Sequence, residues 1–272
     1  ATQATLDLPH GGPIPRLGLG VYQMQPGKET QAAVESALAL GYRHIDTAAI
    51  YRNEADVGAA IAASGVPRDE IFVTTKLAPG EHGFEETLNA CDDSLVALGL
   101  DYVDLYLIHW PGSARRGASW RAFERLYEDG HCHAIGVSNY TERHLIELLD
   151  RCRVRPAANQ IEMHPFVDQR TTRAICRAAT ICVEAYSPLT RGHRLDHPTV
   201  ADVAREVDKT PAQVLIRWGL QQGAAVLVTA RSEAHQRENL ATLDFALRDE
   251  QVDRLSALAD GFRCAWDPTM VP

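Results

Sequence analysis

The chain has 272 residues, is 45% hydrophobic and 23% charged, and carries a formal net charge of −9 with a pI near 5.6. That is enough chain for one large globular core. No apolar run is long enough to span a bilayer, and the acidity excludes a broad nucleic-acid surface, so an anionic ligand would have to meet cations gathered locally.

In chain order, residues 1–15 read as a hairpin turning at His10-Gly11-Gly12. The opening residues carry no basic or apolar leader, so a cytoplasmic protein is expected. The six cysteines, none in a C-x-x-C pair, are expected as reduced core thiols, most of them on apolar faces of helices or strands. A short strand at 17–20 leads to a helix at 29–40, where Val34, Ala37 and Leu38 share a face and Gly41 is the stop. The second strand is His44-Ile45-Asp46, and Asn53 is the expected cap of the next helix, with Val57, Ala60 and Ile61 as its buried stripe. A β-branched strand at 71–76 ends on Lys76. Leu88, Cys91, Leu95 and Leu98 mark a helix, and a strand at 103–108 ends just before His109. The second half keeps the rhythm, with strands at 134–137, 157–161, 181–185 and 226–228, each followed by helical stretches. The clearest helix start is Thr210-Pro211-Ala212-Gln213: a capping threonine, a proline at the first helical position and a glutamine that reaches back.

Eight strand–helix units with no Pro/Gly/Ser linker predict one parallel sheet in a single domain spanning 1–272. A doubly wound open sheet and a closed (β/α)8 barrel both suit that pattern. The count and the length favour the TIM barrel, which usually runs to roughly 250 residues. The one glycine-rich candidate for a dinucleotide fingerprint, Gly18-Leu19-Gly20-Val21-Tyr22-Gln23, lacks its third glycine and opens no helix directly. The expected architecture is therefore a barrel closed at the bottom by the N-terminal hairpin, with extra helices near the C-terminus and a short tail at 262–272.

Barrel enzymes carry their chemistry at the C-terminal ends of the strands. Asp46, Tyr51, Lys76 and His109 all fall there. A phenol is a poor acid near neutrality, but an ammonium beside its oxygen favours the phenolate. A carboxylate would anchor the ammonium, and a histidine would orient a substrate oxygen. The set suits protonation of a forming alkoxide, as carbonyl reduction by hydride requires, with the hydride coming from a cofactor. A barrel hydrolase using His44, Asp46 and His109 as metal ligands is a rival, against which Lys76 would repel the ion. His131-Cys132-His133 resembles a chelator but precedes its strand, at the opposite end of the barrel. No metal is expected.

The motifs GYRHIDTAAIYRNE (41–54), VTTK (73–76), VDLYLIHWP (103–111), IGVSN (135–139) and NQIEMHP (159–165) resemble those of aldo-keto reductases over nearly the whole chain, in particular microbial and protozoal members of the diketogluconate reductase and prostaglandin F synthase type. The resemblance implies that Tyr51 is the general acid, that Lys76 and Asp46 tune it, and that His109 orients the carbonyl. It implies a nicotinamide cofactor lying across the strand ends without a Rossmann domain: Ser138, Asn139 and Gln160 at the carboxamide, Tyr186 stacked on the nicotinamide, Ser187 and Leu189 at the pyrophosphate, Glu238 and Asn239 at the adenine. Tyr22, Ala78 and Trp110 fall at substrate-pocket positions, with Tyr22 and Ala78 replacing larger or different aromatics of many relatives. Trp266 is expected to pin the tail to the barrel.

After the eighth strand the sequence departs from the family. Relatives read roughly Ile-Pro-Lys-Ser, then an arginine, then Glu-Asn, and the two cations grip the 2′-phosphate of NADPH. An ungapped count back from Glu238-Asn239 puts Thr229 at the lysine, Ala230 at the serine and His235 at the arginine; a shifted alignment uses Arg231-Ser232 and Arg237 instead. The ungapped one is favoured and predicts NADPH use with weak discrimination against NADH. The expected partner is a small carbonyl compound, the expected state a monomer. An accessory role, binding cofactor to sense redox state with little turnover, is the alternative outside catalysis.

Overall fold

The computed structural model describes residues 4–112, 114–167 and 169–272; residues 1–3, the start of the expected hairpin, lie outside them. Antiparallel strands β1 (Thr5–Asp7) and β2 (Pro13–Pro15) form that hairpin, with Leu6 opposite Ile14. Parallel strands β3 (Leu17–Gly20), β4 (His44–Asp46), β5 (Phe72–Leu77), β6 (Val103–Ile108), β7 (Cys132–Ser138), β8 (Ala158–Glu162), β9 (Cys182–Tyr186) and β10 (Ala225–Val228) follow, closed into a barrel in the order β10-β3-β4-β5-β6-β7-β8-β9. Closure runs through β10, whose Val226 pairs with Leu17 of β3 on one side and Ala185 of β9 on the other. Each strand lies beside its predecessor, as short right-handed crossovers dictate.

Helices α1 (Lys28–Leu40), α2 (Glu54–Ala63), α3 (Phe84–Leu98), α4 (Arg116–Glu128), α5 (Glu142–Arg151) and α6 (Arg170–Ala178) make the successive crossovers from β3 to β9. Two helices, α7 (Pro198–Val207) and α8 (Pro211–Gln221), lie between β9 and β10, and α9 (Glu233–Leu240) and α10 (Asp249–Ser256) follow β10. Among the described residues no helix is long and apolar enough to cross a membrane.

The main core lies between strands and helices, where Tyr42, Tyr106, Phe123 and Leu38 are fully buried. A smaller cluster fills the barrel floor: Phe72, Leu105, Leu107, Ala134, Ala158 and Ala225, capped by Ile14, Leu6 and Leu8 of the hairpin. The hairpin thus closes the bottom. Its turn needs glycine twice over at Gly11, which has φ +85° and where a Cβ would lie 2.6 Å from the Cβ of Ala134.

Two local expectations turn out differently from each other. The Thr210 box forms: Thr210 Oγ1 accepts from Gln213 N at 3.2 Å and Gln213 Oε1 accepts from Thr210 N at 3.1 Å. Asn53, the expected cap of α2, makes no capping bond. Its side chain is buried, donates to Val21 O at 3.0 Å and accepts from Thr47 Oγ1 at 2.8 Å. It ties together the loops after β3 and β4, because a buried amide must satisfy both ends where it lies. Strand β7 starts one residue into the chelator-like run, and the His133 ring stacks on Tyr102 at 4.0 Å. All six cysteines are free; Cys264, on the tail, is only partly buried and lies outside the apolar core expected for it.

Candidate active site

Parallel strands end on one rim, so the polar residues at their C-terminal ends converge. Asp46 is the last residue of β4, Lys76 the penultimate residue of β5, and His109 follows β6 directly. Tyr51 ends a single 3-10 turn, Ala49–Tyr51, that folds back from β4. Lys76 Nζ donates to Asp46 Oδ1 at 2.7 Å, to Thr47 O at 2.7 Å and toward the Tyr51 hydroxyl at 3.5 Å. The His109 ring meets Tyr51 edge-on, centroids 5.7 Å apart. Lys76 is fully buried, and Asp46 and His109 nearly so.

The electrostatics follow from that burial. Burial alone would pull the Lys76 ammonium down, but the Asp46 carboxylate overrides it and its pKa lies above the ordinary value. Burial pushes Tyr51 up to about 12, with Lys76 pulling it down. The ammonium therefore acts as expected from the sequence but does not win: loss of water around the phenolate outweighs it. Tyr51 keeps its proton at neutral pH. Burial and then Lys76 hold His109 well below its ordinary value, so its imidazole is neutral, and its Nδ1 is buried without a partner among the described residues.

A polar set lies beside this group. Ser138 Oγ donates to Gln160 O at 2.9 Å. Asn139 Nδ2 donates to His109 O at 3.0 Å and to Ser138 Oγ at 3.1 Å, and Asn139 Oδ1 accepts from the Tyr186 hydroxyl at 2.7 Å. Gln160 Nε2 donates to Asp46 Oδ2 at 2.8 Å. Asn139 sits at φ 62°, and Ser187, Thr190 and Arg191 are also left-handed; such non-glycine conformations cost of order 1–3 kcal/mol each and gather at working sites.

The tyrosine, the histidine and this polar set open onto one cavity of about 1100 Å³. Ser138, Asn139, Gln160, Tyr186, Ser187, Leu189, Thr229 and Arg231 line it, as do Tyr22 and Trp110. Pro79 lines it where Ala78 was expected, because the chain turns at Pro79–Glu81 and carries the proline ring to the wall. The remaining residues of the expected cofactor set lie on α9, away from the lining. His235 is exposed. Glu238 accepts from Thr210 Oγ1 at 2.5 Å, and Asn239 is buried. Of the two arginines of the shifted alignment, Arg231 pairs with Glu29 at 2.6 Å and donates to Gln23 O at 2.8 Å, and Arg237 pairs with Glu233 at 2.6 Å, one turn away on the same helix.

Trp266 does not pin the tail. It is 80% exposed, lines the cavity and faces Trp110 with ring centroids 6.0 Å apart. The tail is pinned by Glu162 at the end of β8, which accepts from the backbone of Cys264 at 2.6 Å and of Ala265 at 3.2 Å and pairs with His164 at 2.9 Å. Burial alone would raise Glu162, but His164 and the Cys264 amide hold it at about 2. Glu162 stood in the sequence only as part of the NQIEMHP motif, with no task of its own, and sequence reasoning missed Arg191 and Arg263, which also line the cavity. His44, named above as a possible ligand, turns into the barrel, where its Nε2 meets Thr74 Oγ1 at 3.2 Å.

A closed barrel with a buried acid–amine–phenol chain at its rim defines the class, and comparison with known proteins agrees. The Aldo/keto reductase family model matches residues 16–260. A 9,11-endoperoxide prostaglandin H2 reductase of Trypanosoma cruzi is 44% identical over 258 residues, covering 94% of this chain and 91% of that protein. A glyoxal reductase of Bacillus subtilis is 43% identical over 264 residues, covering 97% and 96%. Among solved structures, an aldo/keto reductase from Brucella melitensis superimposes with a TM-score of 0.91 at 43% identity, covering 94% of this chain and all of that one. The chain belongs to the aldo-keto reductase family, as the motifs implied. It is an NAD(P)H-dependent oxidoreductase of that family, whose members generally use NADPH.

Proposed function

We propose that this enzyme reduces aldehydes or ketones to alcohols, with Tyr51 giving the proton. The observation that carries the reading is the buried Asp46–Lys76–Tyr51 chain, ending on a protonated phenol that opens onto the cavity beside a neutral imidazole. A carbonyl oxygen between Tyr51 and His109 would accept from both. His109, with Nδ1 shut in the protein, has Nε2 left for that bond. As negative charge develops on the oxygen, the Tyr51 proton passes to it, since an alkoxide is the stronger base. Lys76 then steadies the phenolate left behind, and Asp46 holds Lys76 in place.

A bound nicotinamide cofactor supplies the hydride in this scheme. The residues present fit such a group. The cavity is larger than the roughly 300–1,000 Å³ of an ordinary small-molecule site, at about 1100 Å³. Ser138, Asn139 and Gln160 offer amide and hydroxyl partners for a carboxamide, and Tyr186 offers a ring. In a chain of net charge −9, the cavity wall gathers Arg191, Arg231 and Arg263, the local cations an anionic cofactor needs. Arg231 is already engaged with Glu29. The Arg191 guanidinium lies over the Tyr22 ring at 5.6 Å and has no carboxylate partner among the described residues. Arg191 is accordingly the main grip on the cofactor's phosphates. With Thr229, rather than a lysine, exposed in the wall after β10, NADPH and NADH should be distinguished only weakly.

The substrate is a small carbonyl compound. The rim formed by Tyr22, Trp110 and Trp266 is aromatic, so an apolar substituent beside the carbonyl is accommodated there. The chain acts as a single barrel domain. The decisive experiment follows the loss of the reduced nicotinamide absorbance with a panel of aldehydes. Turnover supports the reading; tight cofactor binding with no turnover on any aldehyde would overturn it in favour of a redox-sensing accessory protein.

A further inference from the structure

Below the tetrad the barrel interior holds a second buried acid. Glu184 lies in the middle of β9 and is fully buried. The side-chain amide of Gln160 on β8 spans the two acids: its Nε2 donates to Asp46 Oδ2 at 2.8 Å and toward Glu184 Oε2 at 3.4 Å. The other Glu184 oxygen lies 3.6 Å from His44 Nε2 on β4. His44 is held from behind by β3, where a Cβ on Gly18 would lie 2.7 Å from its Nδ1. A file of polar side chains, Tyr51, Lys76, Asp46, Gln160, Glu184 and His44, therefore runs from the rim to the barrel floor.

We propose that Glu184 is a positioning residue for the Tyr51 proton donor, acting through the shared amide of Gln160 on Asp46 and thereby on Lys76. The inference rests on the reading of Tyr51 as the acid. The groups that face Glu184 are His44 and Asp46 from β4, Lys76 from β5, Gln160 from β8 and Cys182 on its own strand. They set one ammonium against two carboxyl groups in a sealed interior. Burying a net charge is costly, so one acid keeps its proton instead. Burial and then Asp46 push Glu184 up to about 8, against the pull of Lys76 and Gln160. Burial takes His44 down to about 4. Near neutral pH the proton thus stays on Glu184, the imidazole is neutral, and the Lys76 charge is shared between Asp46 and Tyr51 alone. In mildly alkaline solution Glu184 becomes a second anion near Lys76. It then holds the ammonium, and through it the phenol proton, more tightly.

The test compares wild type with E184Q, which keeps the shape and removes the ionisation. The melting temperature is followed from about pH 6 to about pH 9, and the reduction rate on into more alkaline solution, where the phenol, held at about 12, begins to lose its proton and sets the alkaline limb. A folded-state pKa raised above the ordinary one contributes stability that is intact below the ordinary value and lost as pH rises through the folded value. Wild type should therefore lose melting temperature across this window, and E184Q should lose less. The alkaline limb of E184Q should move to lower pH, by roughly a few tenths of a unit or more, because the second anion no longer retains the phenol proton. Superimposable profiles in both measurements overturn the proposal. A flatter stability slope with an unmoved limb overturns it too, since Glu184 would then titrate without positioning Tyr51. Should E184Q fail to fold, infrared spectroscopy of wild type replaces it: a neutral buried carboxyl band present at pH 7 and lost in mildly alkaline solution, with a concurrent shift of the tyrosine ring band that Y51F removes, supports the proposal, and a carboxyl band absent at pH 7 or lost with no change at that tyrosine overturns it. Y51F separates the two readings. If Y51F keeps its turnover, the role of Tyr51 fails, while the titration of Glu184 still reads on its own.

Discussion

The rim between β4 and β9 and the stretch after β10 meet the same cavity, yet they are built in different ways. At the rim, nearly every polar side chain is buried and bonded to a neighbour on another strand: Lys76 to Asp46, Gln160 to Asp46, Tyr186 to Asn139. After β10 the side chains are exposed, and the arginines are engaged with acids beside them, Arg231 with Glu29 and Arg237 with Glu233. A group held by two strands of a closed barrel has one position. A group on an exposed helix start has many, and its charge is screened. Catalytic geometry should therefore depend sharply on single atoms at the rim, and the other end should only tune affinity.

The sharpest way to break that contrast is at the phenol. Y51F removes the hydroxyl of the proposed general acid and should lower kcat by roughly 10²- to 10⁴-fold, while cofactor binding followed by fluorescence stays as in wild type. Undiminished turnover would take Tyr51 out of the chemistry. K76M comes next. It leaves the nearly buried Asp46 carboxylate without its ammonium, and breaking a buried pair in this way costs about 3–5 kcal/mol. Denaturant midpoints should fall accordingly, together with turnover. A variant as stable as wild type would mean that the Asp46–Lys76 pair contributes no more than an exposed one.

How much of this was legible in the sequence divides along the same line. The barrel and the four rim residues could be read because they depend on local periodicity and on which residue ends each strand. The open-sheet alternative fell on the count of units and the missing third glycine. What could not be read needs knowledge of burial or of distant partners. The direction of the Tyr51 shift depends on how completely water is excluded. Asn53 bonds to Thr47 and Val21 instead of capping α2. The tail is anchored by Glu162 across more than a hundred residues of sequence, and so Trp266 is left free to face Trp110. Glu184 did carry a signal, an acid in an otherwise apolar strand, but its partners come from β4 and β8.

At the proposed phosphate end the expected effects are smaller. R191A removes a cavity arginine that has no carboxylate partner among the described residues, and should weaken cofactor binding roughly fivefold to tenfold. R237A should leave it unaltered, because Arg237 is held by Glu233 on α9 away from the cavity lining. Fluorescence titration of both variants checks the pair. Equal losses would place the phosphates nearer α9 than the cavity wall implies.

The smallest expected effect is also the one that addresses the departure after β10. Thr229 is exposed on the cavity wall, so a longer side chain there can extend into the cavity. T229K adds a cation there. An exposed ion pair is worth at most about 1 kcal/mol, roughly fivefold in affinity, and salt screens it. The gain should therefore fall on NADPH, which carries the extra phosphate, and not on NADH, and it should shrink as ionic strength rises. Measuring both dissociation constants at low and high salt distinguishes the outcomes. Equal tightening of the two cofactors would mean that residue 229 meets the pyrophosphate they share, and no change in either would favour the shifted alignment, in which Arg231 would have to leave Glu29 to reach the phosphate.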